Sequence, residues 1–398
     1  MQKSALTEEL LVRSVAEVIV VDHLREALSS GKRLRVKFGI DPTAPDIHLG
    51  HTVALRKLRA FQDAGHSIIL IIGDFTAMIG DPSGRSETRK VLSASDVKAN
   101  MKKYLAQAGR IINIKKTEVH YNSSWYKKGS LALLTDIFSR VTVQRVLERD
   151  DFQKRLRGNQ EISMLEIMYP LLQGYDSVAV KSDIEIGGTD QKFNMLMGRR
   201  LQRSFDMPEQ DVMTLELVEG LDGVKKMSKS YGNYIGISDN PADMFGKVMS
   251  IPDTLMMKYF RAFTDLSLEE LKSIEASLSR HALHPRDAKL KLAREIVFAY
   301  HGAIKARKAE EAFIGTFQRR ENPENVPNVE VPENMSVIDF LKTFHGSKSN
   351  SEARRLIAGG GVKIDLETVE DEKRRLSGDD HGKILKVGKR HFYRIAIN

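Results

Sequence analysis

Cysteine is absent from the 398 residues, which removes disulfides, thiolate zinc sites and a cysteine nucleophile and fits a reducing interior compartment. Long apolar runs are absent too, so the chain carries no candidate membrane span and no membrane partner is expected. Glu8, Glu9, Glu17, Asp22 and Glu26 interrupt the amino-terminal apolar residues, arguing against a secretory signal or an acid-poor transit peptide. A cytoplasmic location is expected. Low-complexity sequence is confined to Glu321–Asn334, a stretch rich in proline and asparagine that reads as a linker.

Hydrophobic residues at 41% and charged residues at 29% suit an ordinary globular protein of two or three domains. The net charge of +9 suggests a polyanionic partner, although positive charge also serves solubility.

The order of elements predicts an α/β fold. Residues 7–30 read as a helix, with Thr7 as its N-cap and Gly31 as its stop. Arg33–Ile40 reads as a strand, about Leu49–Ala64 as a helix and Ser67–Ile72 as a buried strand, which together make a βαβ unit. Further strands are expected at Glu118–Tyr121, Asp183–Ile186 and Val212–Val218, giving a doubly wound, Rossmann-like parallel sheet. Such sheets bind ligands beyond the carboxyl ends of their strands, here near residues 39–51. From Pro241 to Gln318 the pattern is helical. After the linker, Ser349 and Glu352 stand at capping-box spacing ahead of a helix ended by Gly359, Gly360 and Gly361, and short strands follow.

Two motifs carry chemistry. His48 and His51 flank Leu49 and Gly50 at the start of a helix that follows a strand. A helix amino terminus attracts phosphate, and Gly50 lets a nucleotide approach the backbone, so the turn is a candidate ATP phosphate site. Far along the chain, Lys226, Met227, Ser228, Lys229 and Ser230 follow an Asp222-Gly223 turn. Such a loop can close over a polyphosphate and stabilise charge on a leaving group. His281 and His284 share ligand-like spacing, but Pro285 follows and no further ligand is near, so they read as a helix end and no protein-held metal is expected.

Together the two motifs resemble the HIGH and KMSKS signatures of the class I aminoacyl-tRNA synthetases, the second letter for letter. Gly39–Thr43, Ile79–Gly84, Tyr169–Asp176 and Gly187–Gln191 are similar to the tyrosyl-tRNA synthetase family, and the resemblance spans nearly the whole chain. Tyr169, Gln173 and Asp176 fall on one helical face. The resemblance implies that they line a tyrosine pocket with Thr76 and Asp81, and that Asp176 accepts a hydrogen bond from the substrate phenol. His48, His51, Asp41, Thr43 and Gly50 are expected at the ATP phosphates, Gly188, Asp190 and Gln191 on the adenosine side, and Lys226, Ser228 and Lys229 at the departing pyrophosphate. Arg85 and Arg89 fall where that family has a cationic loop.

Many members place a second hydroxyl-binding tyrosine where this chain has Lys37; a lysine there can enter the pocket or leave that contact to another group. Lys192-Phe193-Asn194 replaces a common Trp-Gly-Asn.

The implied activity is tyrosine–tRNA ligation with ATP and Mg²⁺ by a homodimer acting on tRNA(Tyr). The expected organisation is a catalytic domain over 1–230, a helical anticodon-side domain over 231–320, a linker over 321–335 and a small α+β RNA-binding domain over 336–398. That last segment carries 13 Lys or Arg against 9 Asp or Glu and resembles an RNA-binding domain named after a ribosomal small-subunit protein, which implies phosphate contacts from Lys348, Arg354 and Arg355. A tryptophan-specific enzyme and a catalytically silent RNA-binding relative are the alternatives. The intact motifs speak against silence, and Asp176 with Gln173 favours tyrosine.

Overall fold

A computed structural model describes residues 2–42, 46–83, 93–128, 131–318, 326–347, 349–365, 367–388 and 391–398. It divides into two compact units. The first comprises 1–240 with 247–300, and the second 241–246 with 301–398. The helices between Met256 and Tyr300 fall in the same compact unit as the sheet.

Among the described residues, six strands build the sheet of the first unit: β1 (Val15–Ile19), β2 (Arg35–Ile40), β3 (Ser67–Ile72), β4 (Thr117–Tyr121), β5 (Ile184–Gly188) and β6 (Asp211–Leu215), in the order β1-β6-β5-β2-β3-β4. All neighbours run parallel except β1, which pairs antiparallel with β6 at the edge. Ile68 to Ile72 are all buried, as expected for a parallel strand covered on both faces. Strand order reverses between β2 and β5, which places a crevice at their carboxyl ends.

The helix read over 7–30 is instead two helices, Gln2–Val12 and Val21–Ser29, separated by β1. Ser14 and Val20 adopt φ of 54° and 62°, left-handed conformations that no helix continues through. The β-branched run between them gains a sheet edge as its partner. Leu49–Asp63 forms the helix expected after β2, burying Leu49, Val53, Leu55, Leu58 and Phe61.

In the second unit, β7 (Asn328–Val331), β8 (Val362–Ile364), β9 (Glu367–Thr368), β10 (Ile384–Val387) and β11 (His391–Ile397) form a sheet ordered β7-β11-β10-β8-β9. Phe340, Leu341, Ala353, Ile357, Leu376, Leu385 and Ile395 pack its core. Strand β7 lies inside the stretch read as linker: Val329 and Val331 alternate with Asn328 and Glu330, and all four pair in register with β11. Composition hid this period-2 signal among prolines. Ser349 caps the Asn350–Ala358 helix by accepting from the Glu352 N–H at 3.2 Å.

Candidate active site

A cavity of about 510 Å³ opens at the carboxyl ends of β2 and β5. Its walls include His48, Gly50, His51, Asp41, Thr76 and Asp81. Tyr169, Gln173, Asp176, Gly188, Asp190 and Gln191 complete the pocket, and Lys226, Ser228 and Lys229 border its mouth. Residues far apart in the chain thus meet because the sheet reverses direction there. Thr43, Arg85, Arg89 and Lys348 lie outside the described residues.

His48 occupies the N-cap of the Leu49–Asp63 helix in extended conformation, and its backbone N–H donates to Nδ1 of His51 at 3.3 Å. The two rings lie 3.8 Å apart between centroids. Burial, reinforced by Lys229 and Lys226, drives both imidazoles well below their ordinary pKa, His51 to about 4. Both are therefore neutral at pH 7, able to donate one N–H each. At Gly50 a Cβ would come within 3.1 Å of the His48 ring, so glycine keeps that imidazole in place.

The lysine loop is anchored to this turn. Met227 donates its N–H to the Val218 carbonyl at 2.9 Å, and its sulfur receives the Gly50 N–H at 3.3 Å. Asn233, which drew no notice in the sequence, accepts from the Ser228 N–H at 2.8 Å and donates to Asp222 at 2.9 Å and to the Lys225 carbonyl at 3.1 Å. Two cations of the loop pair with acids from different parts of the chain: Lys226 with Asp190 at 2.7 Å and Lys229 with Asp46 at 3.5 Å.

Deeper in the cavity, Tyr169 donates to Asp41 at 2.8 Å and Thr76 to the other Asp41 oxygen at 2.8 Å. A Cβ on Gly73 would fall 2.0 Å from that oxygen, so only glycine permits the Asp41–Thr76 bond. Gln191 donates to Asp81 at 2.7 Å, while Asn194 donates to Gln173 at 2.9 Å and to Gln191 at 3.1 Å. Residues assigned to tyrosine and to adenosine are thereby joined in one network.

Asp176 closes the floor, 3% exposed. Trp125 donates its indole N–H to Oδ1 at 3.0 Å, and Asn122 donates to Oδ2 at 3.4 Å. The Tyr126 hydroxyl is 3.2 Å from Oδ1, but its single proton has the Leu172 carbonyl at 2.5 Å. A carboxylate offers about four lone-pair directions, so Asp176 retains room for one further donor. Burial raises its pKa to about 7, against the opposing pull of Lys37, Asn122 and Trp125. Asn122, Trp125 and Tyr126 were missed in the sequence, where only the solitary tryptophan hinted at a special position.

Lys37 lies wholly buried in β2 and is not among the residues bounding the cavity; its ammonium pairs with Glu185 at 2.9 Å. Arg354 and Arg355, in the second unit, are both exposed on the Asn350–Ala358 helix, with Arg354 3.5 Å from Glu372. Among the described residues no group of three or more His, Asp or Glu is arranged to hold a metal, and no helix is long and apolar enough to cross a membrane.

A doubly wound sheet with paired imidazoles at one helix start and a lysine loop over the same crevice defines a class I aminoacyl-tRNA synthetase. Residues 29–318 match the family described as tRNA synthetases class I (W and Y). A tyrosine–tRNA ligase of Thermotoga maritima is 47% identical over 388 residues, 98% of this chain and 96% of the relative. That of Moorella thermoacetica is 48% identical, over 99% and 96% respectively. The chain belongs to the class I synthetase family of the tryptophan and tyrosine enzymes.

Solved structures share its fold. A C-terminally truncated mitochondrial tyrosyl-tRNA synthetase of Aspergillus nidulans gives a TM-score of 0.64 at 23% identity, covering 79% of this chain and 93% of that one. An Archaeoglobus fulgidus tyrosyl-tRNA synthetase complexed with L-tyrosine gives 0.61 at 19% identity, covering 77% and 99%.

Proposed function

We propose that this chain activates L-tyrosine with ATP, forming tyrosyl-adenylate and pyrophosphate, and then transfers the tyrosyl group to the 3′-terminal ribose of tRNA(Tyr). The observation that carries the reading is Asp176: a buried carboxylate with an open acceptor direction, in a cavity also lined by His48, His51, Lys226 and Lys229. A phenol meets that need, and a phenyl ring leaves it unmet.

In the first step a tyrosine carboxylate oxygen bonds to the α-phosphorus as the bond to the bridging oxygen of pyrophosphate breaks. No covalent nucleophile is required, so catalysis is positioning and charge stabilisation. His48 and His51 donate to phosphate oxygens, with Asp41, Thr43 and Gly50 at the same end. Gly188, Asp190 and Gln191 hold the adenosine. Lys226, Ser228 and Lys229, with Arg85 and Arg89, take the charge of the departing pyrophosphate. Thr76, Asp81, Tyr169 and Gln173 surround the substrate ammonium. Mg²⁺ enters with ATP, held chiefly by phosphate and water.

Arg354, Arg355 and Lys348 contact the tRNA backbone. The enzyme works as a homodimer; Leu131, Val143, Leu156, Met164 and Leu165 are exposed apolar residues within one stretch of the first unit, and exposed apolar groups suit a self-complementary interface. ATP–pyrophosphate exchange across the twenty amino acids tests the substrate: tyrosine alone should support it, and exchange driven by tryptophan instead would refute the assignment.

A further inference from the structure

Lys37 and Glu185 are register partners on the neighbouring strands β2 and β5, with side chains 0% and 1% exposed. The Lys37 ammonium donates to Glu185 Oε1 at 2.9 Å, to Ser177 Oγ at 2.7 Å and to the Gln173 carbonyl at 3.1 Å. Three acceptors use all three of its protons. The other Glu185 oxygen accepts from Ser177 Oγ at 3.0 Å and from the Gln210 side-chain amide. Every member of this network is satisfied without solvent.

Stability alone does not account for such a pair, because two apolar side chains of similar volume would avoid the desolvation that ions suffer on burial. Its placement does. Gln173 and Ser177 lie one helical turn apart and bracket Asp176, so two of the three Lys37 bonds clamp the turn that presents this carboxylate. Glu185 itself borders the cavity.

We propose that the Lys37–Glu185 pair is a positioning device for tyrosine specificity, clamping the Gln173–Ser177 turn and setting the local field in which Asp176 receives the substrate phenol. This rests on the reading of Asp176 as the hydroxyl acceptor. The groups that face Asp176 are Lys37 from β2, Glu185 from β5, Asn122, Trp125 and Tyr126 from the segment after β4, and Tyr169 of its own helix, with Asp41 and Asp81 beyond it. Lys37 and Glu185 act on the carboxyl with opposite sign: the cation draws its pKa down and the anion pushes it up. The cation's pull is the larger, so the pair together draws the carboxyl's pKa down, and removing one exposes the field of the other.

The test measures kcat/KM for tyrosine in pyrophosphate exchange between about pH 5.5 and 8.5, with the tyrosine-to-phenylalanine ratio, in the full-length protein. Lys37→Met leaves Glu185 uncompensated. Its acid limb should move up by about one pH unit or more, and KM for tyrosine at pH 7 should rise about tenfold with a smaller change in kcat. Glu185→Gln should move the limb down. The double variant should return the limb towards its original position while KM stays raised, because the clamp is gone.

Single variants that fold and shift the limb in the same direction, or not at all, would reduce the pair to a structural filler and overturn the proposal. Should Lys37→Met fail to fold, Glu185→Gln decides alone: a limb that stays or rises overturns it. Asp176→Asn separates the two claims. It should flatten the limb and abolish the preference for tyrosine over phenylalanine; a preserved preference would refute Asp176 as the reader, whatever the Lys37 variants do.

Discussion

The Tyr169 hydroxyl donates to Asp41 across 2.8 Å, joining the helix of the proposed amino-acid slot to the strand end that leads into the phosphate-binding turn. Burial and the Asp41 charge raise the Tyr169 pKa well above its ordinary value, so it stays a donor. Removing this single hydrogen bond with Tyr169→Phe should cost about 1–2 kcal/mol, roughly tenfold in kcat/KM for tyrosine. Pyrophosphate-exchange kinetics with tyrosine varied measure this.

Lys229 stands at the cavity mouth, 3.5 Å from Asp46, where charge would build on pyrophosphate. Lys229→Ala should slow adenylate formation by roughly a hundredfold, about 3 kcal/mol, with ATP affinity changed much less. Single-turnover activation read against equilibrium ATP binding separates the two, and an unchanged rate would remove Lys229 from the mechanism.

The imidazoles of His48 and His51 are held below their ordinary value of 6.5 by burial first, then at His48 by the neighbouring His51 ring, and at both by the loop lysines. Between pH 6.5 and about 4 the unfolded chain therefore binds protons that the native ligand-free protein does not. Stability rises with pH wherever the unfolded state holds more protons, so this contribution is complete above 6.5 and declines as the solution is acidified. The thermal midpoint should fall from pH 7 to pH 5, and a His48→Asn/His51→Asn variant should show a shallower fall in the same calorimetric series.

Met164 is 68% exposed, one of several exposed apolar residues between 131 and 165 in the chain. If the proposed dimer forms through this segment, Met164→Glu should shift the protein towards monomer in sedimentation velocity, since a charge in a two-fold interface meets its own copy. A sedimentation coefficient identical to that of the parent protein would exclude this surface.

Arg354→Ala/Arg355→Ala should weaken tRNA binding across sequences and lower the salt slope of log K by about two, leaving tyrosine-dependent exchange largely intact. Truncation is a cleaner test if it starts at residue 326 instead of 336, because the later cut strips β7 from β11.

Local physics was written plainly in the chain. The βαβ rhythm through Ile72, the glycine-bearing turn at His48 to His51, the lysine loop and the shared face of Tyr169, Gln173 and Asp176 depend on spacing and backbone preference over a few residues, and periodicity reports such things directly. Elsewhere a long-range partner outweighed local preference. β1 looked helical until β6 paired with it, and β7 looked like linker until β11 did.

The placement of polar groups was beyond any local signal. Trp125 and Asn122 reach Asp176 from a different element, and Lys37 finds Glu185 only because β2 and β5 are neighbours at the point where the sheet reverses. Which chemistry the chain carries, and on which elements, follows from residue types and their spacing alone. Tertiary structure alone decided which charges are buried, which are paired and which carboxylate keeps an acceptor direction open, because burial and pairing belong to residues brought together from distant parts of the chain.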